Sequence, residues 1–306
     1  MLKTALLVLV VLVSASVVIA VLRRAKPKKD FSELSARVRA WWIMAAVFFG
    51  AIAFSNRISL VFFAPLSFWA MKEYVTLLKT RPADHRALVL TFLAVPAQYV
   101  WIGLDPPWYG MFIVFIPVYM FLILPVRLVL SKDTTGFVAS ASQIQWGLMA
   151  FVFGLSHLAY LLTFPVLGET GANGRTLVLF LVLVVEMSDV LQYIWGKTLG
   201  RHKIIPRVSP NKTWEGFIGG IASAMLLSLG IRFLTPFSVR ETLMVSLLIT
   251  VAGFCGGAVM SAVKRDFGVK DFGNVIPGHG GMLDRVDSLC YAAPIFFHYV
   301  RYFYIK

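Results

Sequence analysis

Two carboxylates, Asp284 and Asp287, stand three residues apart at the end of the stretch SAVKRDFGVKDFGNVIPGHGGMLDRVD, Ser261 to Asp287. That spacing puts two side chains on one face of a helix. So placed, they could hold one divalent cation, and magnesium suits carboxylates that work beside phosphates. The same stretch offers the phosphate side of such a site. Lys264, Arg265 and Lys270 bring three positive charges, and Gly278-His279-Gly280-Gly281 can turn successive backbone N–H groups toward one point, as anion-binding nests do. His279 by itself reads as a local hydrogen-bonding residue rather than a metal ligand. A helix starting within Asp284 to Asp287 would bring its positive end nearby. Transfer of a phosphoryl-type group needs these parts and no nucleophile–base pair, because positioning and charge neutralisation supply most of the catalysis.

Two further polar groups lie upstream. Glu186 and Asp189 fall inside the apolar run Arg175 to Trp195, where a carboxylate costs roughly 2.5–3.5 kcal/mol to insert at mid-membrane. With Tyr193 and Lys197 they share one helical face. They are either a structural ion pair or protonated acid, or a ligand for a cation or substrate. The loop Gly196 to Gly216 carries Lys197, Arg201, Lys203, Arg207 and Lys212. As bare charge this is ordinary loop composition, but its S-P-N-K-T-W-E-G segment is more specific. Ser209-Pro210 predicts a turn, Thr213 a cap for a helix starting near Glu215, and Lys212 the best contact for an anionic ligand. Gly216, Gly220 and Ala224 line one side of that helix, which suits close packing and offers a surface for a homodimer.

These groups need a membrane scaffold. Of 306 residues, 58% are hydrophobic and only 14% charged, against about 25% charged in soluble domains. The apolar runs predict an all-α, polytopic membrane bundle of about ten helices: 2–22, 41–54, 58–78, 87–104, 108–130, 143–167, 175–195, 215–234, 241–263 and 288–304. Losing the short second run would leave nine. Region 1–140 reads as an N-terminal transmembrane part. Region 141–306 reads as the catalytic part, with polar loops 196–215 and 264–287. With both termini outside, most of the 29 Lys and Arg fall on the inner side, which puts both polar loops on the cytoplasmic face of a cytoplasmic (inner) membrane. The net charge of +14 is thereby topological. Its spread over many loops argues against nucleic acid as a partner. Cys255 and Cys290 lie in apolar sequence and suggest neither a disulfide nor a zinc site.

Ser261, Lys264, Arg265, Lys270, Asp271, His279, Gly280, Gly281, Asp284, Arg285 and Asp287 together resemble the signature of the CDP-diacylglycerol synthases, the phosphatidate cytidylyltransferases. Asp189 through Gly216 is similar to that family's second block, which ends in S-P-x-K-T-x-E-G. The resemblance covers the C-terminal part of the chain. It implies transfer of CMP from CTP to phosphatidate, giving CDP-diacylglycerol and pyrophosphate, with magnesium and a second cation as a further option. Carried over, Asp284, Asp287 and Asp189 are metal or catalytic carboxylates, and Lys264 and Arg265 are phosphate contacts. Ser209, Lys212, Thr213, Ser261, Lys270, Asp271, His279, Gly280, Gly281 and Arg285 line the substrate pocket. One departure stands out. Where the family reads G-D-L-x-E-S, this chain reads Gly256-Gly257-Ala258-Val259-Met260-Ser261, so Gly257 replaces a metal-site Asp and Met260 a Glu. Two other readings follow: a catalytically impaired relative that binds lipid or nucleotide or supports a partner enzyme, and a transporter. The lack of an internal repeat argues against the second.

Overall fold

The computed structural model describes residues 2–25, 31–53, 56–276 and 280–305. Each apolar run becomes a helix. They are α1 (Leu2–Ala25), α2 (Ser32–Ala53), α3 (Asn56–Leu77), α4 (His85–Gly103), α5 (Tyr109–Val129), α6 (Phe137–Leu161), α7 (Gly174–Thr198), α8 (Trp214–Gly230), α9 (Val239–Asp266) and α10 (Leu289–Tyr304). Among the described residues, seven are long and apolar enough to cross a membrane; the apolar stretch of α2, Val38–Ala53, is shorter, as are α8 and α10. The second run, predicted as 41–54, starts nine residues earlier, because the Ser-Glu-Leu-Ser-Ala stretch ahead of it continues the helix.

Caps close the helices where polar residues meet apolar runs. Asn173 accepts from the N–H groups of Arg175 and Thr176 at the start of α7, and Ser238 from that of Glu241 at the start of α9. Proline leaves its mark where it interrupts the backbone ladder. Pro117 sits in a π-helical stretch of α5, Phe115–Met120, while Pro65 and Pro96 stay within helices α3 and α4.

The core is built by the end of α6, the first half of α7 and by α10. Leu158, Leu161, Phe180, Leu181, Phe296 and Phe297 are at most 1% exposed. On the outside, Val17 and Val21 of α1, Leu93 of α4 and Leu122 of α5 are exposed, as a helix bundle facing hydrocarbon requires. Cys290 is a buried free thiol, whereas Cys255 of α9 is an exposed one.

The glycine face of α8 packs inside the chain. A Cβ at Gly220 would overlap Gln192 of α7, and one at Gly219 would sit 2.7 Å from the Trp195 ring. The surface offered above for a homodimer is therefore filled by α7.

Between α7 and α8 the chain makes a two-stranded antiparallel ribbon, β1 (Lys203–Ile205) and β2 (Ser209–Thr213). Ser209-Pro210, predicted as a turn, begins β2, and the reversal lies just before it, where the Val208 N–H donates to the Ile205 carbonyl at 3.0 Å. Proline is tolerated there because it stands near the end of a short ribbon with few bonds to lose. The ribbon is anchored at its base. Glu215 accepts from the N–H groups of Arg201 and His202 and pairs with the His202 ring at 2.6 Å. Thr213 caps α8 as predicted, its Oγ1 accepting from the Gly216 N–H at 3.1 Å.

Candidate active site

Three parts of the chain converge at the end of α9: the second half of α7, strand β2 and the residues 280–288. Asp189 of α7 and Asp287 meet across Ser288. The Ser288 hydroxyl donates to Asp189 Oδ2 at 2.6 Å, and its N–H donates to Asp287 Oδ1 at 2.8 Å. Burial, and then the neighbouring Asp189, push Asp287 up to about 6. Glu186, Lys212 and Arg285 lie within electrostatic range of this pair. Lys212 reaches in from β2, its Nζ 4.3 Å from the centroid of the Phe254 ring. Burial lowers its pKa, and Asp189 and Asp287 oppose that shift. Arg285 has its Nε buried without a hydrogen-bond partner, among the described residues.

Asp284 has a different environment from Asp287. Its Oδ1 accepts from Lys264 Nζ at 2.8 Å, and its Oδ2 accepts from the Phe272 and Gly281 N–H groups at 2.8 and 2.9 Å. It is 7% exposed. The helical turn Leu283–Val286 ends before Asp287, and each carboxylate meets its own partners. Asp284 forms an ion pair with Lys264, whereas Asp287 lies with Asp189 about Ser288. Of the expected phosphate cradle, Gly278 and His279 lie outside the described residues. The Gly281 N–H is taken by Asp284, and the Met282 and Leu283 N–H groups are taken by Glu73.

The remaining predicted residues divide. Ser261 donates its hydroxyl to the Gly257 carbonyl at 2.7 Å, and Thr213 is engaged in capping α8. Arg265 donates from Nε to the Val208 carbonyl at 3.2 Å, which ties α9 to the ribbon. Ser209 is partly buried at the start of β2, while Lys270 and Asp271 are exposed. Gly280 holds φ at +78°, and a Cβ there would lie 3.1 Å from that of Asp271 and 2.9 Å from Asp284 Oδ2, so glycine is required. His279 lies outside the described residues.

Gly257 opens on the centre of the site. A Cβ there would lie 3.4 Å from Lys212 Nζ and 3.5 Å from Ser288 Oγ, ordinary contact distances. Met260, at the position of the family's Glu, is fully buried in the core. Sequence reasoning passed over Ser288 and Glu73. Ser288 gave no signal beyond its place beside Asp287. Glu73 did give one: a carboxylate near the end of an apolar run, the same anomaly that singled out Asp189.

Among the described residues no group of three His, Cys, Asp or Glu side chains is arranged to hold a metal. The chemistry of the Asp189 and Asp287 pair nevertheless fits one hard divalent cation, since magnesium is commonly held by one or two carboxylates with substrate phosphates and water completing its shell.

Among the described residues, a helical scaffold with seven helices long and apolar enough to cross a membrane brings two carboxylates together near a lysine and an arginine. The family model for the "Cytidylyltransferase family" matches residues 35–303, and the chain belongs to that family. It is 44% identical over 277 residues, 90% of each chain, to an Escherichia coli K12 protein named "Uncharacterized protein YnbB". It is 38% identical over 157 residues to proteins named phosphatidate cytidylyltransferase from Staphylococcus saprophyticus and Staphylococcus aureus strain COL. Those matches cover 50% of this chain and 60% of the staphylococcal ones.

Proposed function

We propose that this chain is an integral membrane cytidylyltransferase that moves CMP from CTP to a phosphatidate-type lipid. A phosphate oxygen of the lipid attacks the α-phosphorus of CTP, the bond from that phosphorus to the bridging oxygen of the β-phosphate breaks, and pyrophosphate leaves with the bond's electrons. The observation that carries this reading is the Asp189–Ser288–Asp287 constellation facing Lys212. Asp189 and Asp287 would hold magnesium, which when bound neutralises the triphosphate. Ser288 fixes both carboxylates. Lys212 and Arg285 supply positive charge where the pyrophosphate forms, and neither needs to transfer a proton. The excess of Lys and Arg on the same side as the site supports a cytoplasmic active face in the inner membrane, where CTP is present.

Gly257 favours one alternative: a relative with the same scaffold that binds nucleotide or lipid without turning it over. The test is release of pyrophosphate and formation of CDP-lipid by purified protein given CTP, phosphatidate and magnesium, with Asp287→Ala as the inactive control. Turnover that disappears in Asp287→Ala supports the enzyme. Turnover only after Gly257→Asp supports the impaired relative. Silence in both overturns the proposed reaction.

A further inference from the structure

Glu73 lies on α3, in the part of the chain that the sequence offered only as scaffold. It is 6% exposed, and among the described residues no lysine or arginine forms an ion pair with its carboxylate. Its oxygens instead accept two consecutive backbone N–H groups from 209 and 210 residues downstream, Met282 at 2.9 Å and Leu283 at 2.8 Å. The segment is shaped around it. A Cβ at Gly273 would lie 2.7 Å from Glu73 Oε1, and one at Gly281 would overlap Oε2. Two glycines thus leave the space that the carboxylate fills. A buried carboxylate with two N–H donors is costly to disturb, because removing it leaves both donors unpaired.

Three successive N–H groups, at 281, 282 and 283, are thereby held by two carboxylates, Asp284 from within and Glu73 from α3. The same turn leads directly into Asp287 and Ser288. We propose that Glu73 is a positioning residue for the reaction. It holds the turn so that Asp287 reaches Asp189 across Ser288, which makes α3 part of the catalytic apparatus. The inference rests on the cytidylyltransferase reading for its kinetic consequence, and on geometry alone for its structural one.

The experiment compares wild type, Glu73→Gln and Glu73→Asp in detergent micelles by three measurements. The first is hydrogen–deuterium exchange of the peptide containing Met282 and Leu283. The second is the magnesium concentration giving half-maximal turnover. The third is thermal unfolding. Gln keeps the size but presents an NH2 group to one of the two N–H donors. Asp keeps the charge but is one methylene short. Glu73→Gln should speed exchange at 282–283 and raise half-saturating magnesium about 10–100-fold, the range for groups that orient metal ligands, and Glu73→Asp should fall between it and wild type. A role in stability alone would lower the unfolding temperature and the active fraction without moving the magnesium dependence, and that result overturns the proposal. Unchanged exchange in both variants overturns it as well. If wild type itself makes no CDP-lipid, the proposed reaction fails, and exchange together with manganese affinity decides the placement of the turn by the same criteria.

Discussion

Replacing Lys264 with Met removes one partner of a buried ion pair. The Lys264 side chain is 15% exposed and the Asp284 side chain 3%, with 2.8 Å between Nζ and Oδ1. A surface pair at that distance would be worth under about 1 kcal/mol. Here the substitution strands a carboxylate away from water with only the Phe272 and Gly281 N–H groups left to it. Stranding a buried charge costs about 3–5 kcal/mol, a large part of the roughly 5–15 kcal/mol that holds a typical domain folded. The structure also specifies the rescue. In Lys264→Met with Asp284→Asn, the stranded charge is gone, and the Asn oxygen can still accept both N–H groups. The double variant should therefore recover most of the loss and be more stable than Lys264→Met alone. Denaturant titration of helicity by circular dichroism in micelles reads both steps. A loss under about 1 kcal/mol for Lys264→Met, or a double variant less stable than the single one, refutes the argument that Asp284 is held as the fixed half of an ion pair.

Cation binding should depend on pH through Asp287. Its carboxyl is pushed up to about 6, above the ordinary 3.8, so protons compete with a cation below that point. Manganese affinity, followed by electron paramagnetic resonance, should be level above about pH 7 and fall about tenfold per unit below pH 6; a level profile down to pH 5 would remove Asp287 from the cation site. Without a cation the sign for folding is reverse to that of a salt-bridged acid. The raised pKa makes this group's contribution most favourable at low pH, and it is lost as pH rises through about 6. Gly220→Val should destabilise the chain by at least about 1–3 kcal/mol, because its Cβ would overlap Gln192 of α7. An unfolding midpoint equal to wild type would contradict the α7–α8 packing.

All ten apolar runs are helices, and the Thr213 cap stands where its sequence placed it, because hydropathy and capping are properties of a few consecutive residues. Asp189 stood out for a similar reason, as a charge inside an apolar run that cannot face hydrocarbon, while Lys212 and Asp287 stood out by the residues around them in their polar stretches. The pairing of these groups was not legible. Asp284 and Asp287 share a spacing that suggests one cation, yet one meets Lys264 and two backbone donors while the other meets Asp189 through Ser288. Glu73 and the Met282 N–H are 209 residues apart, and no local pattern links them. The glycine face of α8 announced close packing but not its partner, and only the fold made that partner α7. A sequence fixes the polarity and conformational preference of each segment locally. Which donor satisfies a buried acceptor is settled when distant helices pack, and there the tertiary structure alone decided.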